Sequence, residues 1–174
     1  MKIASDLNFD VDGIEYSKYA IQKAFELYDL NIQNIELSEI KLIEHYDIVH
    51  LNHVFEHFNN PKQELKYIYN VLVKNGLLYI EIPYQFSLIH KISYFFRDKN
   101  SIANVHSLHH PFFYTPSSLI QILVESGFKV KKVSVFDKNR LNNKGILNKF
   151  KYYSWYILSH FKIGNFIEIY ALKK

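Results

Sequence analysis

Two helix–glycine–strand units constrain the fold of this sequence more than any other feature. Each begins with a capping residue followed by proline, at 60–61 (Asn-Pro) and 115–116 (Thr-Pro), which is typical of the first turn of a helix. An apolar stripe with helical spacing follows, and then a glycine, Gly76 or Gly127, directly precedes an apolar run. Helices that alternate with apolar strands predict an α/β layer fold with a largely parallel sheet.

Shorter patterns predict the remaining elements. Ser17 is expected to cap a helix, and residues 34–43 fit a short strand and a turn. The run at 46–52 (YDIVHLN) is compact and apolar, as expected of a strand that is buried on both faces. The basic, aromatic stretch 144–162 is expected to be helical. In order, the predicted strands are 9–15 (FDVDGIE), 46–52, 77–82, 128–136 and 165–172.

Composition narrows the class of protein. With 174 residues, 48% of them hydrophobic and 22% charged, the chain fits one globular domain over 1–174 and is not a disordered one. No repeat or linker marks a boundary. The absence of cysteine excludes disulfides, thiolate metal ligands and cysteine nucleophiles. The first ten residues carry acids where a signal peptide has an apolar stretch, so we expect a cytoplasmic protein.

Charge and hydropathy limit the partners. The net charge of +4 is spread over single lysines and forms no basic stripe, so nucleic acid is not indicated. No apolar run reaches the length of a membrane-spanning helix. Residues 149–162 (KFKYYSWYILSHFK) mix basic and aromatic side chains, which fits peripheral contact with a membrane surface. We favour the alternative, a helix packed against the sheet.

Four segments of the sequence carry a family resemblance. In order, they are 11–17 (VDGIEYS), 46–61 (YDIVHLNHVFEHFNNP), 71–83 (VLVKNGLLYIEIP) and 109–130 (HHPFFYTPSSLIQILVESGFKV). Together they resemble a class I S-adenosylmethionine (SAM) dependent methyltransferase, of the kind found in small-molecule and polysaccharide modification. The resemblance implies a Rossmann-like open, mostly parallel sheet, SAM as cofactor, and methyl transfer to an oxygen or nitrogen of a small molecule or sugar.

The resemblance also implies which residues bind the cofactor. Glu15 matches the acid that ends the family's second strand and binds the ribose hydroxyls. Asn52, His53 and Glu56 match the loop after the fourth strand, beside the cofactor, with Phe55 in place of the family's leucine. A carboxylate at the carboxyl end of a parallel strand faces the crevice where such sheets bind ligands, and it can accept two hydrogen bonds from a diol. Without the surrounding segments, Glu15 would read as an exposed acid at a turn.

Histidines and a tyrosine are candidates for the acceptor side of the site. His57 is expected to orient or deprotonate a substrate hydroxyl, because its ordinary pKa lies near neutral pH. The alternative for His57 is a loop histidine bonded to the backbone. Tyr84, His109 and His110 are expected to line the substrate pocket, although the two histidines would also suit a polar lid.

Residues 53–57 (HVFEH) match the H-x-x-E-H motif of inverted zinc proteases. That motif needs both histidines on one face of a continuous helix. Here the segment follows a predicted strand, and Pro61 opens a new helix, which leaves room for one helical turn at most. We therefore predict no metal at His53 and His57.

One family feature has no counterpart in the sequence. The family's first strand ends in a glycine-rich turn near the methionine end of SAM, whereas the glycines here are isolated, at Gly13, Gly76, Gly127, Gly145 and Gly164. Residues 1–10 resemble the helix after that turn. The expectation is an N-terminally truncated domain without the first strand, weaker SAM binding, and self-association through exposed sheet edges. An alternative function is a catalytically impaired remnant that acts as a binding or assembly partner.

Overall fold

The computed structural model describes residues 1–84, 111–136 and 164–174. They belong to two compact units, 1–42 and 43–174. Within the described ranges, no helix is both long and apolar enough to cross a membrane. The helices and strands are α1 (Lys2–Asp6), α2 (Lys18–Tyr28), β1 (Tyr46–Asn52), α3 (Pro61–Val71), β2 (Leu72–Pro83), α4 (Pro116–Glu125), β3 (Phe128–Phe136) and β4 (Phe166–Lys173).

The first unit contains the predicted helix but not the predicted strand. Ser17 caps α2, since its hydroxyl accepts a hydrogen bond from the Ala20 amide at 3.2 Å. The prediction of a strand at 9–15 is wrong, because among the described residues this segment forms a single isolated parallel bridge, between Ile14 and Gln33. Acids and a glycine alternate with the apolar residues of this segment, which weakens its preference for extended pairing.

Residues 34–43 also differ from the prediction of a short strand and turn. They contain a single 3-10 turn, Leu37–Glu39. The Glu39 carboxylate accepts a hydrogen bond from the Glu36 amide at 2.7 Å, so the turn is closed by its own capping box. This local bond satisfies the Glu36 amide, which would otherwise need a hydrogen-bond acceptor on a neighbouring strand.

The second unit is built on a sheet with the strand order β1-β2-β4-β3. β1 pairs with β2 in parallel, and β4 is antiparallel to both of its neighbours. β1, β2 and β3 therefore run in one direction, and β4 alone runs in the other. The predicted open, mostly parallel α/β sheet is confirmed among the described strands, with one antiparallel strand inserted in it.

The caps predicted for both helices of this unit are confirmed. The Asn60 side chain accepts a hydrogen bond from the Gln63 amide at 3.3 Å at the start of α3. Thr115 and Ser118 cap each other's amides at the start of α4, at 2.9 and 3.1 Å. Gly127 follows α4 with φ of +93°, a conformation that favours glycine. Local sequence therefore determines where these helices begin and where α4 ends.

Gly76 does not end α3 as predicted. The helix stops at Val71, and β2 begins at once with Leu72. The pairing with β1 is irregular here, because Tyr46 lies opposite Leu72 whereas Ile48 lies opposite Leu77. A Cβ on Gly76 would lie 2.8 Å from the Val73 carbonyl oxygen. Gly76 is therefore needed for close backbone approach at a bulge.

The core lies between the central strands and the two helices. β1 contributes less than predicted, since none of its residues is fully buried and Ile48 is 53% exposed. The expectation of burial on both faces is wrong because β1 is an edge strand of the described sheet. Within residues 1–84, 111–136 and 164–174, the largest fully buried side chains are Phe55, Phe128, Leu65, Ile68, Leu72, Leu78, Ile80, Ile82, Leu119, Leu123, Ile167 and Ile169.

Candidate active site

The carboxyl ends of β1 and β2 bring together several polar side chains that the sequence analysis singled out. Asn52, the last residue of β1, lies opposite Glu81 of β2. The next residue, His53, donates its amide to the Glu81 carbonyl oxygen at 2.9 Å. The main chain thus places His53 and Glu81 side by side at the edge where open α/β sheets bind ligands.

His53 lies between two carboxylates. Its Nδ1 is 3.6 Å from Glu56 Oε1, and its Nε2 is 3.4 Å from Glu81 Oε1. The backbone of His53 has φ of +54°, a left-handed conformation. Residues other than glycine rarely adopt it, and those that do are concentrated at functional sites. This bend leads the chain from β1 into the 3-10 turn Phe55–His57. The edge contact of the His53 ring with Phe166, at 5.5 Å, helps to orient it.

Glu81 is a member of this cluster that the sequence analysis missed. Only 8% of the residue is exposed, and its Oε2 accepts a hydrogen bond from the Tyr79 hydroxyl at 3.2 Å. Burial and the Glu81 charge both raise the pKa of Tyr79 above its ordinary range, so the phenol stays protonated. The available signal was an acid inside the apolar run LLYIEIP of β2.

Glu56 and His57 project from the short turn after His53. Glu56 is 2% exposed, whereas the His57 side chain is 44% exposed. Burial raises the pKa of Glu56, against the opposing effects of a backbone hydrogen bond and of His57. The distance from Glu56 Oε1 to His57 Nε2 is 4.0 Å. An accessible imidazole at this position can contact a bound ligand and exchange a proton with it.

Glu56→Gln should make the protein more stable at pH 8 and leave its stability nearly unchanged in acid. A raised folded-state pKa means that the stability contributed by Glu56 is complete below its ordinary pKa of 4.5 and is lost as pH rises through the folded-state value. The loss amounts to about 1.4 kcal/mol for each pKa unit. Thermal melting of parent and variant from pH 4 to 8 measures it. Equal melting differences at both ends of this range would contradict the prediction.

Tyr114 is a second residue that the sequence analysis missed. It precedes α4, is 7% exposed, and packs its ring against Phe55 with 5.2 Å between centroids. Burial and then the nearby Glu56 charge raise the pKa of Tyr114 to about 12. Among the described residues, its hydroxyl has no hydrogen-bond partner. No local pattern distinguishes this tyrosine from the chain's other tyrosines, so only the fold could reveal it.

The remaining predicted site residues are Glu15, Tyr84, His109 and His110. Glu15 belongs to the first unit, where its Oε1 accepts a hydrogen bond from the Ser17 amide at 2.8 Å. Tyr84 directly follows β2 and donates its amide to the Asn165 carbonyl oxygen at 2.7 Å. His109 and His110 lie outside the described residues, as do the predicted helix 144–162 and its segment 149–162.

The HVFEH segment has the form expected from the sequence. Phe55–His57 is a single 3-10 turn, which confirms the prediction of at most one helical turn. His53 precedes this turn with a left-handed backbone, so the two histidines do not share the face of one helix. Within residues 1–84, 111–136 and 164–174, no group of three potential ligands is placed to hold a metal. That these histidines bind no metal stays a prediction.

Comparisons with known proteins agree on the kind of domain. A SAM-dependent methyltransferase from Thermotoga maritima, described as a possible histamine N-methyltransferase, has a similar structure, with a TM-score of 0.68 and 20% identity over 98% of this chain and 76% of the other. A SAM-dependent methyltransferase from Archaeoglobus fulgidus is also similar, with a TM-score of 0.66 and 17% identity, and the match covers 98% of this chain and 79% of the other. No curated protein sequence matches. The family model for methyltransferase domains matches residues 1–133, and the chain therefore belongs to that family.

Proposed function

We propose that the chain transfers a methyl group from SAM to an oxygen or nitrogen of a small molecule or sugar. The observation that carries this proposal is the cluster of His53, Glu56, His57 and Glu81 at the carboxyl ends of two adjacent parallel strands. Such ends form the crevice in which open α/β sheets bind their ligands. Membership of the methyltransferase family supports the reaction class.

The residues present fit SAM by their chemistry. SAM carries a positive sulfonium, and the cluster supplies two carboxylates in a partly desolvated setting, where attraction to a cation is stronger than in water. Asn52, His53 and Glu56 are the residues we propose beside the cofactor. In the first unit, the Ser17 amide orients the Glu15 carboxylate, whose acceptor oxygens suit a ribose diol. When bound, SAM supplies an activated methyl group, so the protein need not activate the donor.

The work left to the protein is to hold the acceptor in line and to take its proton. Alignment of two reactants in one site supplies a large share of the rate of such a transfer. His57 is the accessible base, and its Nε2 lies 4.0 Å from Glu56 Oε1. The His53 ring lies between the carboxylates of Glu56 and Glu81 and contacts one with each of its nitrogens, which helps to orient both carboxylates. Tyr84 is proposed to line the acceptor side at the end of β2.

Binding and transfer can be measured separately on the full chain. Calorimetric titration with SAM and with its product S-adenosylhomocysteine should give one site per chain, and methyl-labelled SAM should transfer label to an acceptor. His57→Gln should reduce label transfer and leave product affinity within about twofold, because a general base does not hold the cofactor. His45→Gln, at an exposed histidine before β1, is the matched control and should change neither. Absence of SAM and product binding by the full chain would refute the proposed function.

A further inference from the structure

We propose that the methyl acceptor is a hydroxyl group, held between the phenolic hydroxyl of Tyr114 and the carboxylate of Glu56. This inference rests on the proposed function and narrows its acceptor from oxygen or nitrogen to oxygen. Tyr114 is then an acceptor-binding residue, which nothing in the family resemblance assigned. Both residues belong to the second unit, and Phe55 connects them, since it precedes Glu56 in the chain and packs on the Tyr114 ring with 5.2 Å between centroids.

The first support is the hydroxyl of Tyr114. It is buried, with 7% of the residue exposed, and it has no hydrogen-bond partner among the described residues. A buried hydroxyl without a partner costs stability, and the great majority of buried polar groups in proteins avoid this cost. Replacement by phenylalanine would remove the cost and preserve the packing. A ligand group that accepts from this hydroxyl gives a physical reason to retain tyrosine here.

The second support is the chemistry of the pair. Tyr114 is held protonated by burial and by the Glu56 charge, so it is a hydrogen-bond donor at neutral pH. Glu56 is a carboxylate and accepts when ionised. Glu56 is not the hydrogen-bond partner of the Tyr114 hydroxyl, although its charge acts on that phenol. A donor and an acceptor that do not bond to each other can together bind a group that is both acceptor and donor.

An alcohol satisfies this pair and remains reactive. Its O–H donates to Glu56, one oxygen lone pair accepts from Tyr114, and the second lone pair is free to attack. A neutral amine has one lone pair, which the Tyr114 hydroxyl would occupy. A protonated amine has none and cannot accept from Tyr114 at all. The pair therefore selects oxygen over nitrogen.

The transfer balances with these residues alone and a methyl sulfonium donor. The free oxygen lone pair forms the new O–CH₃ bond, and the electron pair of the breaking methyl–sulfur bond stays on sulfur. The hydroxyl proton leaves along its hydrogen bond to the Glu56 carboxylate and passes on to His57, the base of the proposed function. Exposed His57, 4.0 Å away, can then pass the proton to solvent.

Thermal melting of Tyr114→Phe in the absence of any ligand tests the unpartnered hydroxyl. We expect the melting temperature to rise by about 2–6 °C, because the buried polar cost disappears. Tyr69→Phe is the matched control, since the Tyr69 hydroxyl donates to the Lys174 carbonyl oxygen at 2.9 Å and its loss should lower the melting temperature. A decrease for Tyr114→Phe of the size seen in the control would overturn the inference.

Ligand measurements separate an acceptor contact from a cofactor contact. Tyr114→Phe should bind S-adenosylhomocysteine within about twofold of the parent, whereas a tenfold loss would make Tyr114 a cofactor residue and overturn the inference. The second measurement uses methyl-labelled SAM with equal concentrations of glucose and glucosamine as acceptor probes. The parent should form labelled methyl ethers, and the rate of their formation should fall at least about tenfold in Tyr114→Phe. Label in N-methylglucosamine would also overturn it. If the parent does not bind S-adenosylhomocysteine, the proposed function fails. The melting temperatures of Tyr114→Phe and Tyr69→Phe would still test whether the Tyr114 hydroxyl lacks a partner.

Discussion

Phe55→Ala should lower the free energy of unfolding by about 3–5 kcal/mol, the cost of deleting a buried aromatic ring. Phe55 is fully buried, and its ring contacts Phe58 at 5.6 Å and Tyr114 at 5.2 Å between centroids. Because the ring also supports the turn that carries Glu56 and His57, ligand binding should weaken together with stability. Chemical denaturation followed by fluorescence measures the first effect, and titration with S-adenosylhomocysteine measures the second.

Two comparison variants test whether packing is the cause. Phe55→Leu introduces the leucine that the methyltransferase family has at this position. It should lower the free energy of unfolding by less than about 1.5 kcal/mol, since most of the side-chain volume is kept. Phe112→Ala removes a ring from a residue that is 38% exposed and should have a smaller effect than Phe55→Ala. If Phe55→Ala unfolds at the same denaturant concentration as Phe112→Ala, the packing described around Phe55 is wrong.

Glu15→Ala should weaken SAM binding at least about tenfold. Two charge-assisted hydrogen bonds from a ribose diol would each contribute roughly 1.5–3 kcal/mol, and alanine removes both. Glu15→Asp should cost less, because the shorter acid can still reach one hydroxyl. Calorimetric titration of the three proteins with SAM and with S-adenosylhomocysteine measures the change in affinity.

The Glu15 carboxylate also bonds to the Ser17 amide, so a structural effect must be separated from a binding effect. Glu15→Gln keeps an oxygen for that amide and removes the charge. Ser17→Ala removes the cap of α2 and keeps the Glu15 carboxylate. We expect Glu15→Gln to bind more weakly than the parent and Ser17→Ala to bind nearly as well. Undiminished affinity of Glu15→Ala would refute the assignment of this residue to the cofactor.

The elements that the sequence predicted correctly are those set by local interactions. The starts of α3 and α4 follow from Asn60 and Thr115, whose side chains bond to amides three residues later. β1 and β3 have the bounds that were predicted from their apolar runs, 46–52 and 128–136. Capping and short-range hydropathy are properties of neighbouring residues, so the sequence displays them directly.

The errors arise where distant residues decide the outcome. Whether 9–15 becomes a strand depends on a neighbouring strand to pair with, and in the part of the chain that the structure describes the pairing is limited to Ile14 with Gln33. Gly76 follows an apolar helix and looks like its stop, but the pairing of β1 with Leu72 ends α3 earlier. The residues around Ile14 and around Leu72 do not indicate that Gln33 and β1 will pair with them.

The candidate site divides in the same way. His53, Glu56 and His57 stand close together in the sequence after a recognisable strand, so they could be selected in advance. Glu81 reaches the cluster through its register with Asn52, and Tyr114 reaches it across the core through Phe55. Pairing register and core contacts are tertiary properties, and they supplied the two residues that the sequence left unnoticed.

The strand order has a consequence for how the chain folds as it is made. β4 lies between β2 and β3, yet residues 166–173 leave the ribosome after both of them. Until then, β2 and β3 each present an unpaired edge that other chains can join. Such long-range pairing also slows folding. The nascent domain is therefore most vulnerable to aggregation late in translation, and chaperones that shield strand edges at that stage should raise its soluble yield.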